Sequence, residues 1–247
     1  MISPLQITLL SCAVLGFRHG FDYDHIAAIT DITSVQQKVS VAMRLGLLYA
    51  CGHAIMITVL GCAVVFFHLA LPHRLDSWAE RLVGVTLIVL AMYVLGTLYF
   101  GDPSALPPSR ASLLIRGYHR VRRCFPSHHS DQPHVRLDQN AAYTGPAAFG
   151  VGIIHGLGAE TPSQIALFLL AANLGGVSKG LWGLAMFLVG LLTMNTLMTA
   201  SAAGLFHVNA SRPKVMRYLM GLTAVYSLVV GILFLLGASG RLPAISG

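Results

Sequence analysis

The sequence predicts an all-α integral membrane protein of six transmembrane helices, arranged as two inverted three-helix repeats. Three observations predict it. First, 55% of the 247 residues are hydrophobic and only 10% are charged, with a mean hydropathy of +0.70, against about 25% charged in a soluble domain. Second, these residues lie in long runs free of Asp, Glu, Lys and Arg: Leu45 to Leu71, Leu82 to Gly101, Ala141 to Ala159 and Gly180 to Ser211. A helix needs about 20 apolar residues to cross the hydrocarbon core, and helices satisfy the backbone groups that lipid cannot. The short alternating segments of a β-barrel are missing. Third, the two halves of the chain resemble each other.

The expected spans run near 5–29, 45–69, 80–100, 143–172, 180–206 and 214–237. Span 1 has no Lys or Arg before it and runs into Arg18-His19 without a small-residue cleavage site. It is therefore expected to be a mature span and not a removed leader. Spans 2, 3, 5 and 6 follow from the charge-free runs. Span 4 contains Glu160 and Pro162, and the proline disfavours helix at Thr161. Between spans 3 and 4 lies a polar linker, 101–142, with five prolines, six arginines and the histidines His119, His128, His129 and His134. The chain thus divides into a first repeat (1–100), the linker (101–142) and a second repeat (143–247).

Basic residues set the orientation. Loop 1, the linker and loop 5 hold eleven Lys and Arg, and the opposite side holds four. The positive-inside rule puts the linker in the cytoplasm and both termini outside. The formal net charge of +7 therefore reads as membrane topology, and no nucleic-acid partner is expected. The four cysteines form no C-x-x-C pair, so no disulfide framework is expected.

The repeat is visible in two places. Gly16-Phe17-Arg18-His19-Gly20 matches Gly152-Ile153-Ile154-His155-Gly156 at an offset of 136, and Leu82-Val83-Gly84-Val85-Thr86 matches Leu219-Met220-Gly221-Leu222-Thr223 at 137. Three spans per half put the halves in opposite orientations, a transporter signature with its site near the midplane where helices break. Gly20, Gly156 and Gly158 weaken the helix at matching places.

The chemistry concentrates in span 1, where Arg18 to His25 reads R-H-G-F-D-Y-D-H. Intramembrane ionisable groups are expensive and mark function by default. On a straight helix His19, Asp22 and His25 share one face, and Asp24 points away unless the helix breaks at Gly20. Two imidazoles with a carboxylate suit Ni, Co, Zn or Fe(II) better than Mg or Ca, which prefer oxygen. The bland alternative is a buried ion-pair network, such as Arg18 with Asp22. His53, taken alone, reads as a core histidine, and Asn195 aligns with it only at an offset of 142. His155 is raised by its pairing with His19. Glu160 is mid-span and is the only acidic residue of the second half. The linker histidines either collect metal or are plain loop residues.

The segment His19-Gly20-Phe21-Asp22-Tyr23-Asp24-His25-Ile26 resembles the H-A-x-D-A-D-H-I signature of the nickel/cobalt transporter family. Leu157-Gly158-Ala159-Glu160-Thr161-Pro162-Ser163-Gln164-Ile165 is similar to that family's L-G-F-D-T-A-T-E-I motif, and Gly52-His53 to its G-H-S element. The resemblance implies uptake of Ni(II) or Co(II) across the bacterial inner membrane, with His19, Asp22, Asp24 and His25 essential and a cytoplasmic linker. The full set of candidate metal residues is His19, Asp22, Asp24, His25, His53, His155 and Glu160, with Arg18, Asn195 and Gln164 in support. This chain departs from the family in having room for six spans where eight are usual, in Gly20 and Tyr23 for Ala, and in Glu160 for Asp and Gln164 for Glu.

The function expected from the sequence is a secondary permease with the metal as transported substrate, no cofactor, and membrane lipid as surroundings. The chain has no G-x-x-x-x-G-K-[ST] loop for ATP. The competing readings are an exporter on the same scaffold, a membrane metallohydrolase, an auxiliary subunit, and a thiol–disulfide carrier. The last is opposed by Ala148, which stands where a partner for Cys12 would be.

Overall fold

The structure is a computed structural model that describes residues 3–67, 73–100, 143–158, 176–238 and Leu242. Among these there are seven α-helices and no strand. They are α1 (Pro4–His19), α2 (Tyr23–Ser34), α3 (Val39–Phe67), α4 (His73–Phe100), α5 (Gly145–Leu157), α6 (Val177–Val208) and α7 (Pro213–Leu235). The linker 101–142 and the second motif from Ala159 onward, with Glu160 and Gln164, lie outside the described residues.

Local chemistry places the helix starts. Ser3 caps α1 through a capping box with Gln6, and Pro4 occupies its first turn, where the missing N–H costs nothing. Thr144 accepts from the Ala147 N–H to start α5, and Pro213 opens α7. The α1 helix ends at a break. Gly20 caps it, and Asp22, with an extended backbone, begins α2. The expected single span 5–29 is therefore two helices. Span 3 also starts earlier than expected, at His73.

Four helices, α3, α4, α6 and α7, are long and apolar enough to cross a membrane, and α5 is a shorter apolar helix. Their outward faces carry Val59, Val89, Val189 and Val225, each more than half exposed. In water such a coat would be a sticky surface. Against lipid it is the expected one. Exposed Trp78 and Trp182 lie in the second turns of α4 and α6, and exposed Tyr99 and Tyr218 near the end of α4 and the start of α7, as in the aromatic belts of membrane interfaces. The chain is a multi-pass membrane protein.

Glycines set the helix crossings. The α1 helix packs on α6, and α5 packs on α3. A methyl group on Gly16 would overlap the Phe187 carbonyl oxygen, and one on Gly190 that of Ala13. At the other crossing a methyl on Gly52 would overlap the Phe149 oxygen, and one on Gly152 that of Tyr49. Small residues let backbones approach where lipid supplies no hydrophobic drive. The two crossings repeat each other at offsets of 136 to 138. Gly20 lies against Leu191 and Met194 as Gly156 lies against His53 and Met56. These contacts set His53 opposite Leu191 in the repeat, and not opposite Asn195, because the crossing glycines admit no gap. The α4 and α7 helices pack on each other through Gly84 and Gly231, and α2 nests against α3, α4, α6 and α7.

Candidate metal centre

The break between α1 and α2 aims the ionisable groups of span 1 inward. His19 is the last residue of α1 and His25 lies in the first turn of α2, and both are buried. Asp22 stands at the N-cap position, where an aspartate ordinarily binds its own helix. Here it makes no capping bond. Its Oδ2 lies 2.8 Å from His19 Nδ1. Asp24 Oδ1 lies 3.0 Å from His25 Nδ1. A carboxylate only accepts, so both Nδ1 atoms donate and both Nε2 atoms keep their lone pairs.

Those Nε2 atoms meet His53, which α3 brings in from the other side. His53 Nε2 is 3.2 Å from His19 Nε2 and 3.2 Å from His25 Nε2. Nitrogens bound at 2.0–2.1 Å to one ion lie about 2.9 Å apart at right angles and about 3.3 Å apart in a tetrahedron. The observed spacing falls inside that range, and the three rings form a ligand set capable of holding a metal ion. Three imidazoles select first-row transition metals over Mg and Ca. The two carboxylates supply negative charge beside the nitrogens and fix the ring tautomers, as outer carboxylates do in metal sites. Asp22 is the accessible member at 26% exposure, whereas Asp24 is at 7%.

The remaining candidates divide. His155 is buried at the edge of the cluster, and both its nitrogens are engaged. The Thr86 hydroxyl donates to Val83 O (2.7 Å) and so accepts from His155 Nε2 at 2.8 Å. Tyr49 then donates to His155 Nδ1 at 3.1 Å. His155 also sits 3.7 Å from Asp24 Oδ2, at the edge of the three-nitrogen group and too far for a hydrogen bond. Asn195 is fully buried, and neither atom of its amide has a hydrogen-bond partner. It lies beside Gly20, where a methyl group would come 3.3 Å from Asn195 Oδ1. Arg18 is exposed on the last turn of α1. Glu160 and Gln164 fall outside the described residues.

Sequence reasoning missed Tyr49, Thr86 and Phe187. Tyr49 is one turn from His53 on α3, a spacing that puts it on the same face. Thr86 closes the Leu82-to-Thr86 stretch that repeats in span 6. The Phe187 ring packs 5.6 Å from that of His19, and nothing in the sequence marked it.

The chain is similar to three known proteins, two over most of its length and one over about two thirds of it. It is 23% identical to the urease accessory protein UreH of Bacillus sp. (strain TB-90), covering 92% of this chain and 91% of that protein. It is 24% identical to the high-affinity nickel transport protein of Cupriavidus necator, over 93% of this chain and 70% of that one. It is 26% identical to the cobalt transport protein NhlF of Rhodococcus rhodochrous, over 65% and 47% respectively. No protein-family model matches the chain, and no solved structure matches it.

Proposed function

We propose that this chain is a secondary transporter that takes up a divalent transition-metal cation, Ni(II) and/or Co(II), across the cell inner membrane. The observation that carries the reading is the convergence of the His19 and His25 Nε2 atoms on His53 Nε2, each at 3.2 Å, at a helix break inside an apolar bundle. The likeness to proteins named for nickel and cobalt transport supports the choice of metal.

The residues divide the work. His19, His25 and His53 bind the ion, which is substrate and not a resident cofactor. Asp22 and Asp24 orient two of the rings and offset the ion's charge. Asp22, the more exposed, faces the route by which the ion enters. His155, held by Tyr49 and Thr86, packs beside Asp24 at the edge of the site, and Asn195 offers an idle amide oxygen beside the break. The resemblance of the second motif adds Glu160 as a further ligand and Gln164 in support.

Six spans in two inverted halves, with the linker cytoplasmic and the termini external, supply alternating access. The recurrence of the α1–α6 crossing at α3–α5 supports the two-repeat arrangement. Glycine-lined crossings let one pair shift against the other without dislodging large side chains. Membrane potential is enough to drive uptake: about 2.3 kcal/mol per charge per 100 mV gives a dication roughly 4.6 kcal/mol.

The test is cellular nickel and cobalt content in a transport-deficient bacterium expressing the wild type or His19→Ala at equal membrane levels. Higher metal in the wild type alone supports uptake. Lower metal makes the protein an exporter on the same site. No change in either metal refutes transport by this chain on its own.

A further inference from the structure

The metal centre leaves one buried ionisable group unused. Asp31 lies on α2, six residues past His25, or about 9 Å along the helix axis, on the linker-side end of the bundle. It is fully buried, and neither of its carboxylate oxygens has a hydrogen-bond partner. The hydroxyls of Thr223 and Ser227 on α7 lie against it. Both spend their hydrogens elsewhere: Thr223 donates to Met220 O at 3.0 Å and Ser227 to Ala27 O at 3.4 Å. Their oxygens can accept from Asp31 when it is protonated, and by rotating either hydroxyl can donate to it when it is ionised. Tyr143, ahead of α5, is the titratable group within electrostatic range, and its hydroxyl is also buried without a partner. Among the described residues no charged side chain bears on Asp31 from α3, α4, α6 or α7.

Such an acceptor-rich pocket is completed by something positive, since a lone buried carboxylate is among the costliest arrangements in a bundle core. A hard metal cation gathers six or more oxygens, whereas a proton needs a single acceptor, which Ser227 or Thr223 provides. We propose that Asp31 is a proton-binding site that loads and unloads during transport, making the proton the coupling ion. The bookkeeping is simple: the proton bonds to one Asp31 oxygen, donates to the Ser227 or Thr223 oxygen, and leaves for water when α2 and α7 separate. This rests on the transporter reading, but its first readout does not.

That readout is infrared spectroscopy of the full chain in lipid bilayers as a function of pH, for wild type and Asp31→Asn. A carboxylic-acid C=O band present in wild type and missing from the variant is expected, and identical spectra overturn the proposal. Ser227→Ala, which keeps the carboxyl, shifts the pH midpoint of that band. An unmoved midpoint for both Ser227→Ala and Thr223→Ala removes the pocket from the argument and overturns it. The second readout is nickel accumulation in proteoliposomes at clamped potential. For one proton exchanged per ion, one unit of pH difference changes the accumulation ratio about tenfold, and Asp31→Asn abolishes that response. Wild-type accumulation that ignores the pH gradient overturns the coupling. A wild type that moves no nickel sinks the transport reading instead, and the infrared band still decides whether Asp31 holds a proton.

Discussion

Replacing Asp24 with asparagine separates the ligands of the metal centre from the groups that tune them. The substitution keeps the side chain's volume and an oxygen that can accept from His25 Nδ1, now 3.0 Å away. It removes the negative charge, and with it the contact to His155 at 3.7 Å. Loss of an outer carboxylate of this kind typically lowers metal affinity about 10–100-fold, or about 1.4–2.7 kcal/mol. Asp24 is only 5% exposed, so solvent and salt screen its charge weakly, and its loss belongs at the hundredfold end. Asp22 has the same relation to His19 but its side chain is 26% exposed, so Asp22→Asn belongs nearer tenfold. The assay is calorimetric nickel titration of the full chain in lipid nanodiscs. The reasoning is refuted if Asp22→Asn costs more than Asp24→Asn. It is refuted equally if Asp24→Asn removes binding as completely as loss of a histidine, which would make the carboxylate a ligand.

Other expectations are open to the same preparation. His53→Ala, which deletes the nitrogen shared by the other two rings, eliminates measurable nickel binding while leaving the protein in the membrane fraction. Retained affinity would place the ion elsewhere. Nickel binding weakens as pH falls, because protons and metal compete for the same Nε2 lone pairs; titrations at several pH values check the sign, and a flat profile contradicts imidazole ligation. Gly52→Ala drives a methyl group into the Phe149 carbonyl and is expected to destabilise by about 1–3 kcal/mol or more. Gly96→Ala meets nothing within 4 Å and is expected to be neutral in thermal unfolding. Tyr49→Phe strands a buried His155 nitrogen, at a cost of about 1–3 kcal/mol, and leaves nickel affinity within tenfold of wild type in the calorimetric titration.

Much of the site was legible because its residues are close in sequence. His19, Asp22, Asp24 and His25 fall within seven positions, and charge inside an apolar run is conspicuous whatever the fold. The fate of Asp24 was conditional. A straight helix turns it away, and only the break at Gly20–Asp22 brings it in to hold His25. Asn195 shows the opposite failure. At an offset of 142 it answered His53 only across a gap, and the close-packed glycines pair His53 with Leu191 instead, because backbone contact at a crossing tolerates no four-residue slip. Asp31 was in view throughout and carried no signal. Its isolation is a property of α7, whose Thr223 and Ser227 are nearly two hundred positions away.

The sequence by itself determined the solvent this chain lives in, where most of its helices run, and the cluster of ionisable groups in span 1. Hydropathy, glycine, proline and local charge act over a few residues, and each can be read in place. Only the tertiary structure put His53 Nε2 against those of His19 and His25, set His155 beside Asp24 at the edge, and turned Asp22 to His19 in preference to its own helix. Those outcomes depend on how closely α3 approaches the α1–α2 break. That distance is set by glycines meeting backbone across two crossings, a long-range steric condition that no local pattern encodes.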